Sequence, residues 1–141
     1  MSRIRSRQFT AAGRNRNMDR AEQAVQNKHS GMNCAQAVLT AFADRLSLPA
    51  ETLRGLGAGF GIGMGTFGAT CGALCAAQMV CGLTAERFGP AQARELYQQF
   101  AAQCGSTLCG ELKGIGTDTV LCSCDDCVRC AARLAAAQTG D

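Results

Sequence analysis

Ten cysteines, at positions 34, 71, 75, 81, 104, 109, 122, 124, 127 and 130 of a 141-residue chain, constrain this protein more than any other feature. That density is far above ordinary usage and asks for chemistry as well as packing. Their placement sharpens the point. Asn33, Thr70 and Ser123 each stand directly before a cysteine, and each is a residue type that caps a helix N-terminus. Ser123 is followed at the third position by Asp126, in the pattern of a capping box with Asp in place of Glu. Ser106-Thr107-Leu108 leads into Cys109 in the same manner. Cys34, Cys71, Cys109 and Cys124 are therefore predicted in the first turns of four helices. There, unpaired N–H groups and the positive end of the helix dipole favour the thiolate, so acidic thiols meeting at one centre are expected. Cys75, Cys81 and Cys104 fall at helix-interior positions, where cysteine behaves as a small buried hydrophobe.

The run Cys122-x-Cys124-x2-Cys127-x2-Cys130 is a second signal, with a spacing suited to iron–sulfur or zinc ligation. On a helix Cys124 and Cys127 share a face and Cys130 drifts away from it. The single histidine, His29, reads as a surface residue, so no zinc-finger His pair exists.

The remaining pattern is helical. Helix periodicity dominates and strand-like alternation is nearly absent, which predicts an all-α chain, a compact bundle of about five to six helices. The helices are expected at Met18–Lys28, Cys34–Leu46, Pro49–Leu56, Cys71–Leu83, from Pro90 to just before Gly105, and from Cys124 to about Ala137. The inward face of the helix after Pro90 is read as Ala93, Leu96, Tyr97, Phe100 and Cys104. Aromatics make up only 5% of the chain, so Ala, Leu, Met and Cys must build the core.

Between Arg54 and Glu86 lie 31 uncharged residues, nine of them Gly. That glycine content disfavours a spanning helix and suits a buried glycine loop feeding a buried helix, so a membrane role is not expected. Within it, Gly63-x-Gly65-x2-Gly68 fits a dinucleotide fingerprint without the strand that must precede one, so no nucleotide is expected. Gly63, Gly65 and Gly72 are read instead as positions where backbone passes close to a buried sulfur centre or its cofactor.

Charge is uneven. Residues 1–20 hold six Arg and one acid, whereas residues 21–141 hold eight basic and ten acidic residues. Residues 1–17 read as a polar, disordered arm ahead of a single cysteine-rich domain over 18–141. The mildly acidic body has no basic patch for nucleic acid. No apolar stretch of ~7–15 residues follows the early charges and no Arg pair occurs, so no export signal is read. A reducing, cytoplasmic setting is expected, where thiols serve redox chemistry or metal binding.

Together, Asn33-Cys34-Ala35-Gln36-Ala37-Val38, the glycine loop, Thr70-Cys71-Gly72-Ala73-Leu74, Gly105-Ser106-Thr107-Leu108-Cys109-Gly110-Glu111-Leu112 and the closing Cys-x3-Val-x2-Ala-Ala resemble the redox-active protein family with the C-GCAxxG-C-C cysteine pattern. The resemblance covers about residues 20–138. It implies that the family's four cysteines fall on Cys34, Cys71, Cys109 and Cys124, with Cys127 as the alternative to Cys124. Ala76 stands where the family pattern has glycine. The family is similar to the non-haem part of split-Soret cytochromes, which implies a helical fold and is compatible with a homodimer and with an iron–sulfur cluster on those four cysteines. Without a cluster, the same residues would cycle between dithiol and disulfide. No C-x-x-C-H is present, so no haem is expected. The resemblance points to an oxidoreductase or electron-transfer component acting on a redox partner protein. Thiolate metal handling without redox turnover is the alternative.

Overall fold

Side-chain capping decides where three of the helices begin, in a computed structural model that describes residues 19–141. The expected arm, 1–17, and Met18 lie outside the described residues. Asp19 caps α1 (Arg20–His29) by accepting from the Glu22 amide. Asn33 caps α2 (Cys34–Ala41) in a complete capping box: its Oδ1 accepts from the Gln36 amide at 2.8 Å while Gln36 Oε1 accepts from the Asn33 amide at 3.0 Å. The short α3 (Ala43–Leu46) and α4 (Ala50–Gly57) follow, then a wide turn over Gly63–Phe67. Next come α5 (Gly72–Thr84), α6 (Pro90–Cys104), α7 (Cys109–Lys113) and α8 (Cys124–Thr139). The described residues are all-α, with six helices of seven residues or more. None is long and apolar enough to cross a membrane.

Three expectations are corrected. The helix expected over Cys34–Leu46 breaks at Phe42 (φ −110°, ψ 17°), whose ring is fully buried, and α3 begins at the next residue. Tyr97 is exposed on α6 and joins its hydroxyl to Thr107 Oγ1 at 2.8 Å; only Leu96, Phe100 and Cys104 of the expected face are buried. Thr70 does not cap α5. It is drawn into an antiparallel bridge with Leu108, and Cys71 takes the cap position itself.

The core sits between α2, α5 and α8, with α1 laid across α2 and α8 and α6 against α8. Phe42, Leu39, Leu53, Leu74, Leu96 and Phe100 fill it, and fully buried Ala35, Ala73, Ala77, Ala131 and Ala135 let the helices approach closely. Ala76 is also fully buried in that packing. Arg20, counted with the basic N-terminal residues, works as a clasp: it opens α1, bonds the Ala41 carbonyl at 2.8 Å and pairs with Asp44 and Asp141.

Asn33 ties the start of α2 to the end of α4, because its Nδ2 also donates to the Gly57 carbonyl at 3.1 Å. Asn33→Ala removes the cap and that tie, and should cost about 2 kcal/mol in a urea titration. Asn33→Asp keeps the cap acceptor and loses only the tie, so its loss should be clearly smaller. Equal losses would show that the capping bond contributes nothing.

Candidate thiol centre

Helix starts deliver the first sulfurs. Cys34 is the first residue of α2, Cys71 caps α5, Cys109 opens α7 and Cys124 opens α8. The segment around the Thr70–Leu108 bridge sets two of them side by side: the Cys71 amide donates to Thr107 O at 2.7 Å, and the Cys109 amide donates to Ala69 O at 3.0 Å. Ser123 Oγ accepts from the Asp126 amide and fixes the entry to α8. Asp126 turns its own carboxylate to Arg129 rather than back to the cap.

All ten thiols are free. Seven of them form a continuous row of neighbours that shift one another's ionisation. Cys34 is neighbour to both Cys124 and Cys71, Cys71 to Cys127, Cys127 to Cys122, and Cys104 to both Cys122 and Cys130. Of the four cysteines singled out in the sequence, Cys34, Cys71 and Cys124 are brought together. Cys109 stands outside this row, close enough to feel the Cys124 charge and the Lys113 ammonium. Cys127, the alternative to Cys124, is the next link after Cys71.

Close backbone packing holds the row. A Cβ on Gly72 would lie 2.3 Å from the Phe60 carbonyl oxygen and 2.8 Å from Cys34 Sγ, and one on Gly63 would lie 2.8 Å from Cys109 Cβ. Gly65 has open space around it; its φ of +80° is what calls for glycine there. The same loop carries Ile62, Met64 and Phe67 at φ of 55°, 57° and 62°. Left-handed backbone costs a non-glycine residue about 1–2 kcal/mol, so the loop is held by its surroundings rather than by its own preference. Ile62 supplies a backbone N–H to Cys34.

The expectation of acidic thiols is overturned. Cys71 is pushed up to about 12, chiefly by the neighbouring Cys127 and by burial, with Cys34 and the Leu74 amide opposing. Cys124 is raised by the neighbouring Cys34 and by burial, against Lys113 and Lys28. For Cys34 the neighbouring Cys124 favours the thiolate, but Cys71 and burial outweigh it and the net direction is up. Burial raises Cys109 against the pull of Lys113. Helix-start N–H groups are too few to solvate sulfurs withdrawn from water, and each thiolate would repel its neighbours.

Sequence reasoning placed Cys104 among the packing residues and let Cys130 drift from the shared face. Both are in the row. Cys104 ends α6 just before Gly105 (φ +97°), and Cys130 meets it across the α6–α8 contact. Only the docking of α6 on α8 shows this. Cys81 fits the packing expectation: burial alone accounts for its rise to about 11.

Helix starts converging on a mostly buried row of free thiols, with no disulfide among the described residues, define a cysteine-centred helical protein. The family described as "Putative redox-active protein (C_GCAxxG_C_C)" matches residues 32–138, and the chain belongs to that family. No curated protein and no solved structure matches it.

Proposed function

We propose that this is a thiol–disulfide redox protein whose central residue is Cys34, working with Cys124 and Cys71. The observation that carries the reading is that Cys34 has both of these thiols as neighbours, each close enough to shift its ionisation. Cys124 is half-buried whereas Cys34 and Cys71 are buried, so Cys124 is the entry point. Its sulfur attacks a disulfide of a partner protein, giving a mixed disulfide and releasing one partner thiolate. Cys34 then displaces the second partner sulfur and forms the Cys34–Cys124 disulfide. The chain has lost two protons and two electrons; the partner disulfide has become a dithiol. Lys28 and Lys113 are the cations that favour a thiolate on Cys124 during the attack. The exposed apolar side chains of Ile62, Met64 and Phe67, on the loop that packs over Cys34 and Cys109, supply a contact face for that partner.

An all-thiol donor set also suits an iron–sulfur cluster. Cys34, Cys71, Cys124 and Cys127 would hold it, and it would supply one-electron transfer. Their succession along a row supports pairwise chemistry as the better reading.

Oxidation in a graded thiol/disulfide buffer, followed by peptide mass spectrometry, tests this. A disulfide joining Cys34 to Cys124 or Cys71 should form first. Cys34→Ser should abolish both and leave Cys124 as a trapped mixed disulfide. Oxidation that fills other pairs while Cys34 stays reduced would overturn the reading.

A further inference from the structure

At the opposite end of the row the sulfurs stop following one another in line and close into a triangle. Sγ atoms of Cys104, Cys122 and Cys127 all lie within 4.8 Å of one another, the one such group among the described residues. We propose that these three cysteines form a binding site for a thiophilic d10 cation of the zinc(II) class. This goes beyond the redox reading, which rests on Cys34 and Cys124.

The geometry suits such an ion. With Zn–S bonds of about 2.3 Å, the sulfurs of a tetrahedral site stand about 3.8 Å apart, so the triangle needs only a small contraction. Three separate segments supply the ligands, and each is held from outside the site. Cys104 closes α6 under the Gly105 cap. Cys122 sits on a strap pinned where the Leu121 and Cys122 amides both donate to Leu112 O, at 3.0 and 3.1 Å. Cys127 lies in the second turn of α8 and points its thiol at the Cys122 carbonyl, 3.7 Å away.

A fourth position is available. A cavity of about 570 Å³ opens on the triangle, lined by Cys104, Cys122, Cys130, Gln103, Arg129 and Arg133 among others. Cys130 lines the same cavity, donating its thiol to Gln103 Oε1 at 3.3 Å, and is the candidate for a fourth sulfur. Binding replaces the protons of three thiols with one divalent ion and leaves a net charge of −1 on the site, or −2 if Cys130 joins. Arg129 and Arg133 on the cavity wall offset that charge. A metal-bound thiol gives up its proton, so uptake must release protons to solvent.

The test is a zinc titration of the anaerobically reduced full chain against a chromophoric chelator, with proton release followed in weak buffer. One zinc per chain should be retained, with protons released, and zinc should shield Cys104, Cys122 and Cys127 from alkylation. Cys122 is half-buried, so Cys122→Ser should fold, as circular dichroism will show, and lose at least 100-fold in zinc affinity. Cys34→Ser should retain zinc. Failure of the wild-type chain to hold zinc against the chelator would overturn the site, as would retention undiminished by Cys122→Ser. Loss on Cys34→Ser to the same extent as on Cys122→Ser would also overturn it, by moving the ion to the Cys34 end. None of these outcomes depends on whether Cys34 forms a disulfide.

Discussion

At pH 7, Cys71 of the native reduced protein should react with an alkylating agent about a thousand times more slowly than an ordinary exposed cysteine, from ionisation alone. Its thiol is pushed up to about 12 against an ordinary 9.0, and each unit removes a factor of ten from the reactive thiolate. Burial of the sulfur slows the reaction further. The same chain in denaturant should lose this protection, so a native-to-denatured rate comparison by mass spectrometry isolates the effect. Native rates at Cys71 equal to those of the unfolded chain would show that the helix start acidifies the thiol after all. Stability should carry the same signature. Folding raises the Cys34, Cys71, Cys109 and Cys124 values, so the native state holds protons that the unfolded chain releases. This contribution is complete below the unfolded value near 9 and is lost as pH rises toward the native ones. The urea midpoint of the reduced protein should therefore fall steadily above pH 9.

Gly72→Ala should be the most damaging single-methyl change in the chain. The added carbon would stand 2.3 Å from the Phe60 carbonyl oxygen and 2.8 Å from Cys34 Sγ, and real carbon atoms do not approach that closely. The first obstacle is backbone, so relief requires α5 to move away from the 57–62 segment and from Cys34. Overpacking of this kind costs about 1–3 kcal/mol, here toward the upper end. The displacement also separates Cys34 from Cys71, so the yield of the Cys34–Cys71 disulfide should fall along with the urea midpoint. Gly65→Ala is the control. Nothing lies within 4 Å of its new carbon, and only its φ of +80° resists the change. It should cost about 1 kcal/mol and leave the disulfide pattern unaltered. Equal effects from the two substitutions would mean that the close approach at Gly72 does not position the sulfurs.

The helix boundaries were legible where a short-range bond decides them. Asn33 before Cys34, Ser123 before Cys124, Pro90 at the start of α6 and Gly105 at its end all act within a few residues, and all act in the structure as their types predict. Thr70 has the same local credentials and does not cap, because Leu108, 38 positions away, claims its backbone. The helix expected through Phe42 breaks for a related reason: burying that ring in the core outweighs continuing the helix.

The sulfur centre divides along the same line. Capping marks Cys34 and Cys124 as helix-start cysteines, since a cap is a local interaction written in neighbouring residues, whereas Cys71 and Cys109 head their helices without a side-chain cap. Which sulfurs become neighbours is decided by how helices dock: α2, α5 and α8 bring Cys34, Cys71, Cys124 and Cys127 together, and α6 on α8 adds Cys104 and Cys130. Acidity shows the limit most plainly. The dipole and free amides of a helix start are visible in sequence and favour the thiolate, yet the thiols rise because water is excluded and other thiols crowd them. Desolvation and sulfur–sulfur proximity arise only when distant segments close over one another. The chain by itself therefore determines that cysteines head these helices, and the tertiary structure alone decides their neighbours and their protons.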